Sequence, residues 1–508
     1  MTELTGSGQP IPLGSNYRIR APGVLGQANL VLRRPVVGTT RSITAAVERP
    51  ALDRAFASHD MTDVATIDVA VTRQIATPAG SALRAPGGDD ALELEVPAPP
   101  AGYDTVVLAV DESGAITWNY PLADDNSIAA PVTRGAGGVV RFRVPRTPAV
   151  TPPAGAARTR SLFGAVGKKI LKVLIYPITD RLVGGLVDTF AGKWESGHRP
   201  YRLRTVGPDD YTSQDVPALG KQDPAWQRLG AGRALLFIHG TFSSTHSAFA
   251  GLSREDIQNL SDVYGGRLFA FDHFTLSHAP SRNVDELAAM LPDDVPLDVD
   301  IICHSRGGLV SREIVERNIE HGLQQKLTVG KVIFVGAANA GTMLTHPDHM
   351  VHMIDRMTTA IDVLPDNPAT WILEGIITAV KVVGHGGLAS LDGLASMNPT
   401  GTYLGTLGGA QSGRAQYRGI SADFEPKGTP FDRLALKRLA GDALMDRIFE
   451  NEENDLVVPT AGVGTASGPC FPIPDSDMLR LDASTGVIHT TYFANQLVRD
   501  RLKAWATG

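Results

Sequence analysis

The segment Cys303-His304-Ser305-Arg306-Gly307-Gly308 sets a serine between small residues two places before it and two places after it. It follows the apolar run Val299 to Ile302 and precedes a helical stretch, Leu309 to Ile319. A serine on a sharp strand-to-helix turn projects its Oγ above the sheet, and small neighbours leave room for that turn. Ser305 is the expected nucleophile, against the plainer reading of a structural Ser-Arg-Gly-Gly turn. A serine hydroxyl attacks poorly at neutral pH unless a base takes its proton, and the base needs a third group to orient it. Six histidines follow Ser305, namely His321, His346, His349, His352, His385 and His489. His321 ends the helix after the turn, and the next four lie where strands and helices no longer alternate. His489 remains as the base, in the loop Thr485 to Thr491 ahead of a final helix expected over Tyr492 to Ala504. For the orienting acid, Asp455 in Asn451-Glu452-Glu453-Asn454-Asp455-Leu456-Val457-Val458-Pro459, after an expected helix, competes with Asp423, just after the run Tyr417 to Ser421. Asp455 is preferred of the two.

Acyl transfer puts negative charge on the carbonyl oxygen, and backbone N–H groups must already point at it. Leu235-Leu236-Phe237-Ile238-His239-Gly240-Thr241-Phe242 is an apolar strand entering a His-Gly turn. Thr241 would give one N–H, with Phe242 the alternative by one residue, and Arg306 the other. A second cluster, His346, His349 and His352 with Asp355, has imidazole and carboxylate suited to zinc. Its spacing reads instead as the polar face of a helix. The chemistry needs no metal or organic cofactor.

These motifs resemble the α/β-hydrolase superfamily, within it the lipase-like branch. The resemblance rests on Phe237-Ile238-His239-Gly240-Thr241, on the Ser305 segment, on Asn454-Asp455-Leu456-Val457-Val458-Pro459, and on Phe334-Val335-Gly336-Ala337-Ala338-Asn339-Ala340-Gly341-Thr342. The order Ser305, Asp455, His489 agrees with it. Two departures are Cys303 where the turn usually starts with Gly, and Leu456 where the acid loop usually has Gly. The resemblance covers residues 230–508 and implies an α/β-hydrolase fold with a helical cap, acting on carboxylic esters through an acyl-enzyme. Thioesterases, amidases and acyltransferases share such a fold. A non-catalytic interaction protein on this scaffold is the rival of another class.

Positioning such a site takes a framework of strands and helices. From Arg233 onward, short apolar runs (Ala234 to Ile238, Leu268 to Phe271, Val299 to Cys303, Val332 to Val335, Tyr417 to Ser421) alternate with helical stretches, which argues for a mostly parallel sheet covered on both faces. The alternation stops over about 342–413, where Met350 to Ile361 and Trp371 to Val383 read as helices of a cap. Their Leu, Ile, Val and Met content suits an acyl-chain wall or lid, hence an ester with an apolar acyl chain. Residues 1–145 read as a β-rich, sandwich-like domain, with Tyr103 to Val110 and Ala115 to Tyr120 as a hairpin around Asp111 to Gly114, and Val139 to Val144 alternating at period two. Residues 146–160 are a Pro/Ala-rich linker. Residues 161–229 read as an amphipathic helical connector, with Leu162, Val166, Ile170 and Leu174 at helical spacing before Pro177 and Ile178, Leu182, Leu186 and Phe190 after it. With Arg158, Arg160, Lys168, Lys169 and Lys172, the stretch 158–194 suits packing on a neighbouring domain or peripheral contact with an anionic membrane.

Composition sets the outer bounds. At 508 residues the chain is long enough for two or three domains, and 43% hydrophobic with 20% charged residues is a folding composition. Its 47 Lys plus Arg against 54 Asp plus Glu leave no basic excess for nucleic acid. Cys303 and Cys470 make no disulfide framework, and no secretory signal or membrane-spanning run is visible, so a cytoplasmic location is expected. The oligomeric state stays open.

Overall fold

Apolar runs that are buried on both faces gain most when helices cover each side of one sheet. The computed structural model describes residues 1–14, 16–33, 52, 55–57, 59–74, 91–111, 116–122, 138–145, 167–177, 187–346, 349–360, 366–384, 391–408, 415–424 and 452–508. The chain divides into two units, the first over Met1–Arg181 and the second from Leu182 to the C-terminus, apart from Lys437–Asp442, which lie outside the described residues. Both cysteines are free thiols.

The first unit holds two antiparallel sheets. Strands β1 (Thr2–Thr5), β4 (Val24–Leu32), β5 (Thr62–Gln74), β10 (Gly167–Pro177), β7 (Tyr103–Asp111) and β8 (Ile116–Asn119) pair in that order. A smaller sheet runs β2 (Ile11–Gly14), β3 (Tyr17–Arg20), β6 (Ala91–Pro97), β9 (Val139–Pro145). Alternate residues of both, including Ile19, Ile67, Leu94, Val107, Phe142 and Leu171, meet in one apolar core.

The second unit is an α/β fold. Strands β11 (Arg202–Thr205), β12 (Ala234–Ile238), β13 (Leu268–Asp272), β14 (Leu297–His304), β15 (Leu327–Val335), β16 (Gln416–Ala422) and β17 (Met478–Leu481) form a seven-stranded sheet in the order β11-β13-β12-β14-β15-β16-β17. All pairings are parallel except that of β11 with β13. Every residue of β12 and β13 is buried, which is why Ala234 to Ile238 and Leu268 to Phe271 read as unbroken apolar runs. Helices α1 (Val187–His198), α2 (Arg254–Val263), α3 (Pro280–Met290), α4 (Gly307–Glu316) and α7 (Gln496–Thr507) belong to this unit, with two further helices in an insertion between β15 and β16. Ser253 starts α2, its hydroxyl accepting from Asp256 N at 3.1 Å while its own N–H donates to the Asp256 carboxylate at 2.8 Å. Ile257 and Leu260 of α2 and Val498, Leu502 and Trp505 of α7 share a core with Phe237, Ile333 and Val335. Each such buried side chain contributes about 2 kcal/mol. On the other side, Gly308 of α4 lies against Phe334, the strand neighbour that points away from Ile333 and Val335.

Between β15 and β16 lie α5 (Met350–Ala360) and α6 (Asp366–Gly384), with shorter turns at Met343–Thr345, Asp392–Ala395 and Leu404–Thr406. Ile376, Ile377, Val380 and Val382 of α6 are all buried. No helix among the described residues is long and apolar enough to cross a membrane.

The amphipathic helical connector over 161–229 is corrected here. Gly167–Pro177 is β10, hydrogen-bonded to β5 on one side and β7 on the other, within the first unit. Val173 and Leu174 are neighbours and both are buried, so the run lacks the buried-exposed alternation of a half-buried strand. Residues four apart, such as Ile170 and Leu174, share a face in a strand as they do in a helix, which is why the run carried helical spacing. The basic membrane-facing helix therefore does not form over these residues. Further on, α1 and β11 belong to the second unit, β11 as an edge strand. The final helix starts at Gln496 rather than Tyr492, because Asn495 caps it with its carboxamide oxygen on Leu497 N at 2.9 Å. The linker residues 146–160, the residues Leu162, Val166, Ile178, Leu182 and Leu186, the turn Glu112 to Gly114 and the helix expected before Asn451 lie outside the described residues.

After α4, His321 ties two helices together, with Nδ1 2.7 Å from Asp285 of α3 and Nε2 3.1 Å from Glu313 of α4. Burial alone would lower its pKa, but the hydrogen bonds and charges of Glu313 and Asp285 outweigh that and raise it. A raised folded pKa gives stability that is fully present below the unfolded value of about 6.5 and is lost as pH rises through the folded one. We expect His321→Gln to lower Tm by several degrees at about pH 5.5 and by much less at about pH 9, measured by thermal melts; an equal loss at both would contradict it.

Candidate active site

In the sheet order, β13 lies on one side of β12 and β14 on the other, so the loops leaving β12 and β14 diverge and open a crevice at their carboxyl ends. Ser305 is the first residue after β14 and holds φ at +55°. That left-handed conformation costs about 1–2 kcal/mol for a residue with a Cβ. Backbone bonds offset it, with Ser305 N donating to Val335 O at 3.1 Å and Gly308 N donating to Ser305 O at 2.9 Å. Across the crevice, Gly240 leaves β12. A Cβ there would stand 2.6 Å from the Ser305 Cβ and 3.0 Å from the His304 carbonyl oxygen, so the approach needs glycine. Cys303 is fully buried with its Sγ 3.5 Å from Ile333 O, and burial pushes its thiol up to about 12.

The structure brings Ser305, His489 and Asp455 together. His489 Nε2 lies 2.9 Å from Ser305 Oγ, and its Nδ1 lies 2.9 Å from Asp455 Oδ2. All three are buried, at 5%, 4% and 1% exposure. Of the two candidate acids, the one against the imidazole is Asp455. Its turn is anchored to the end of β16, where Thr460 Oγ1 donates to Ala422 O at 2.6 Å and Phe424 N donates to Asn454 O at 2.8 Å. Leu456, at φ +81°, bends the turn so that Val457 N (3.0 Å) and Val458 N (2.8 Å) both donate to Asp455 Oδ1. Burial alone would raise the Asp455 carboxyl, but the His489 imidazole and these N–H donors hold it below the usual carboxylate range.

Sequence reasoning missed several partners. Tyr492 donates its hydroxyl to Asp455 Oδ2 at 2.9 Å. His304 donates Nε2–H to the His489 carbonyl at 2.9 Å, and burial takes its pKa down to about 3, so it is neutral. His239 lies flat on His273, with ring centroids 4.2 Å apart, and its Nε2 accepts the His273 N–H at 3.1 Å. The His239 proton therefore sits on Nδ1 and donates to Gly240 O at 3.0 Å, fixing the turn that carries Thr241.

Arg306 turns its side chain into the protein. Nε donates to Gly393 O at 2.8 Å, and Nη2 donates to Asn283 Oδ1 at 3.0 Å and to His278 O. Burial lowers its guanidinium to about 10. Thr241 and Phe242 both line an open cleft, about 690 Å³ counting the solvent at its mouth, that Ser305, His304 and His489 enter. Its apolar wall comes from Met353 and Met357 of α5, Ile372 of α6, Met397, Val457 and Val458. Among the described residues, no Asp, Glu, Lys or Arg lines it.

The His346 cluster stays apart from this site. The His346 and His349 rings are 5.8 Å apart, and the His352 side chain lies outside the described residues. Among the described residues, no group of three or more His, Cys, Asp or Glu is placed to hold a metal ion.

The family described as "Domain of unknown function (DUF7379)" matches residues 198–507. No curated protein matches. Among solved structures, the chain is similar to the mature lipase BlEst2 of Bacillus licheniformis, at 16% identity and a TM-score of 0.31 over 54% of this chain and 92% of that one. It is similar to lipase 1 from Pelosinus fermentans at 13% identity and a TM-score of 0.37, over 54% and 97%. It is also similar to phospholipase PlaB from Legionella pneumophila at 14% identity and a TM-score of 0.29, over 46% and 45%. Likenesses this weak carry no inference about activity, so the functional reading rests on the chain's own geometry.

The Gly240 approach makes a direct prediction. Gly240→Ala would press a methyl group on Ser305, and a displacement near 1 Å costs about 100-fold in reactivity. Fluorophosphonate labelling of Ser305 should slow by about that factor while the protein still melts cooperatively. Labelling at the wild-type rate would contradict the close approach.

Proposed function

We propose that the chain, which belongs to the DUF7379 family, is a serine hydrolase of the lipase and esterase kind that cleaves carboxylic esters through an acyl-enzyme. The observation that carries this reading is one imidazole in contact with both a serine hydroxyl and a buried carboxylate. The layout agrees with an α/β-hydrolase fold. The nucleophile follows β14 in mid-sheet, the acid follows β16 and the base follows β17, in the order such folds use.

In the proposed reaction Asp455 Oδ2 accepts the Nδ1–H of His489, which fixes the tautomer and leaves the Nε2 lone pair facing Ser305. Ser305 Oγ attacks the ester carbonyl carbon as Nε2 takes its proton, and Asp455 stabilises the imidazolium without taking the proton itself. Charge moves to the carbonyl oxygen, where the N–H groups of Thr241 and Arg306 would receive it. The Arg306 N–H stands at the start of α4, whose dipole favours negative charge there. The tetrahedral adduct collapses, the C–O bond to the alcohol breaks, and the imidazolium returns the proton to the leaving oxygen. Water then gives a proton to Nε2, attacks the acyl carbon and releases the acid with Ser305 restored.

The wall of Met353, Met357, Ile372 and Met397 supports an apolar acyl chain, because thioether side chains adapt to irregular hydrocarbon. The same residues would serve a thioester, an amide or transfer to another acceptor, and a substrate panel separates these. Ser305→Ala should lower kcat/KM on p-nitrophenyl octanoate by roughly 10⁴- to 10⁶-fold, and Asp455→Asn by about 10⁴-fold. Unchanged turnover by Ser305→Ala would refute the enzyme reading and leave the interaction protein. Octanoate should be the better substrate than acetate; the reverse order would sink the apolar wall alone.

A further inference from the structure

The Asp455 carboxylate receives four hydrogen bonds, as many as its lone pairs accommodate. Val457 N and Val458 N occupy Oδ1, while His489 Nδ1 and the Tyr492 hydroxyl, each at 2.9 Å, occupy Oδ2. Tyr492 is 1% exposed, so its hydroxyl meets the carboxylate with water excluded. The fold makes room for it. Gly336, the residue after β15, holds φ at +52°, and a Cβ there would stand 2.6 Å from Tyr492 Cε2 and 3.2 Å from Asp455 Oδ2. Tyr492 sits in the turn Tyr492–Ala494, so one short segment presents both imidazole and phenol to one oxygen. A tyrosine present only to fill the core could donate to any carbonyl.

We propose that Tyr492 is a positioning residue: its hydroxyl fixes the direction of Asp455 Oδ2 and limits how strongly that oxygen draws the Nδ1 proton of His489. An oxygen shared between two donors is less basic than one left to the imidazole alone. Burial and the Asp455 charge hold the phenol proton well above its usual range, so it remains a donor throughout the working pH. The titratable groups facing this pair are few. Asp455 and Ser305 contact His489, His304 of β14 donates to its carbonyl, and His239 lies beyond His304. Both of those histidines are neutral, since burial takes them to about 3 and about 4.

The inference rests on the serine hydrolase reading for its meaning, yet its test requires no turnover. In Ser305→Ala protein with ¹⁵N-labelled histidine, the His489 ring is titrated by NMR with Tyr492 and with Tyr492→Phe. The midpoint should rise by about half to one pH unit in the Phe variant, a roughly 3- to 10-fold gain in proton affinity. In the Ser305 protein the acid limb of kcat/KM should move up by the same amount with KM little changed. Incorporation of 3-fluorotyrosine at 492, a stronger donor of the same shape, should move the midpoint down and serves as the test if the Phe variant fails to fold. An unchanged or opposite midpoint overturns the proposal, whatever happens to activity, and makes Tyr492 a packing residue. Failure of ester hydrolysis alongside the expected shift would count against the hydrolase reading alone.

Discussion

A carboxylate withdrawn from water is the constraint on which the second unit depends. Asp455 is almost fully buried, and an ion in that position is tolerated only when its oxygens are saturated by hydrogen bonds and an opposite charge can form beside it. Two donors come from its own turn, which is why the chain accepts Leu456 in a conformation that suits glycine better. The other two come from the loop after β17, which brings His489 and Tyr492 to one oxygen. The backbone closes the same link, with His489 N donating to Asp455 O at 3.0 Å. Acid and base are thus held as one assembly.

Ser305 reaches that assembly from the end of β14, on the same side of the β12/β14 crevice as β16 and β17. Ser305 is forced upward by the turn between β14 and α4, and β12 must end close beside it. Gly240 permits the contact, and the stacked pair His239 and His273, neutral because burial dominates both, holds the turn. Above the serine, α5 and α6 supply methionine and isoleucine rather than charge. Polar groups therefore gather at the strand ends, and the space beyond them is apolar, an arrangement suited to a neutral acyl group over a polar reacting centre.

Much of this was legible in the sequence because it is local. The five apolar runs became β12 to β16, since strands buried on both faces carry continuous Val, Ile, Leu and Phe. Ser305 announced itself through small neighbours and its strand-to-helix context, and His489 by elimination. What escaped depends on distant partners. The edge strands β11 and β17 are four residues each and mix charge with apolar residues, so no run marks them. Adjacent buried residues at Val173 and Leu174, on a strand paired on both sides, disguised β10 as a helix. Tyr492, His304 and His239 act through contacts with residues 34 to 185 positions away, and no spacing rule reports those.

The central claim is that Ser305 carries the acyl group between two half-reactions. Its most direct test is rapid acid quench of the wild-type chain after mixing with p-nitrophenyl octanoate, followed by peptide mass spectrometry. The account predicts an octanoyl adduct on the peptide that contains Ser305, formed together with the first nitrophenol and lost as hydrolysis proceeds. Nitrophenol release without any adduct, or an adduct on another residue, would contradict it.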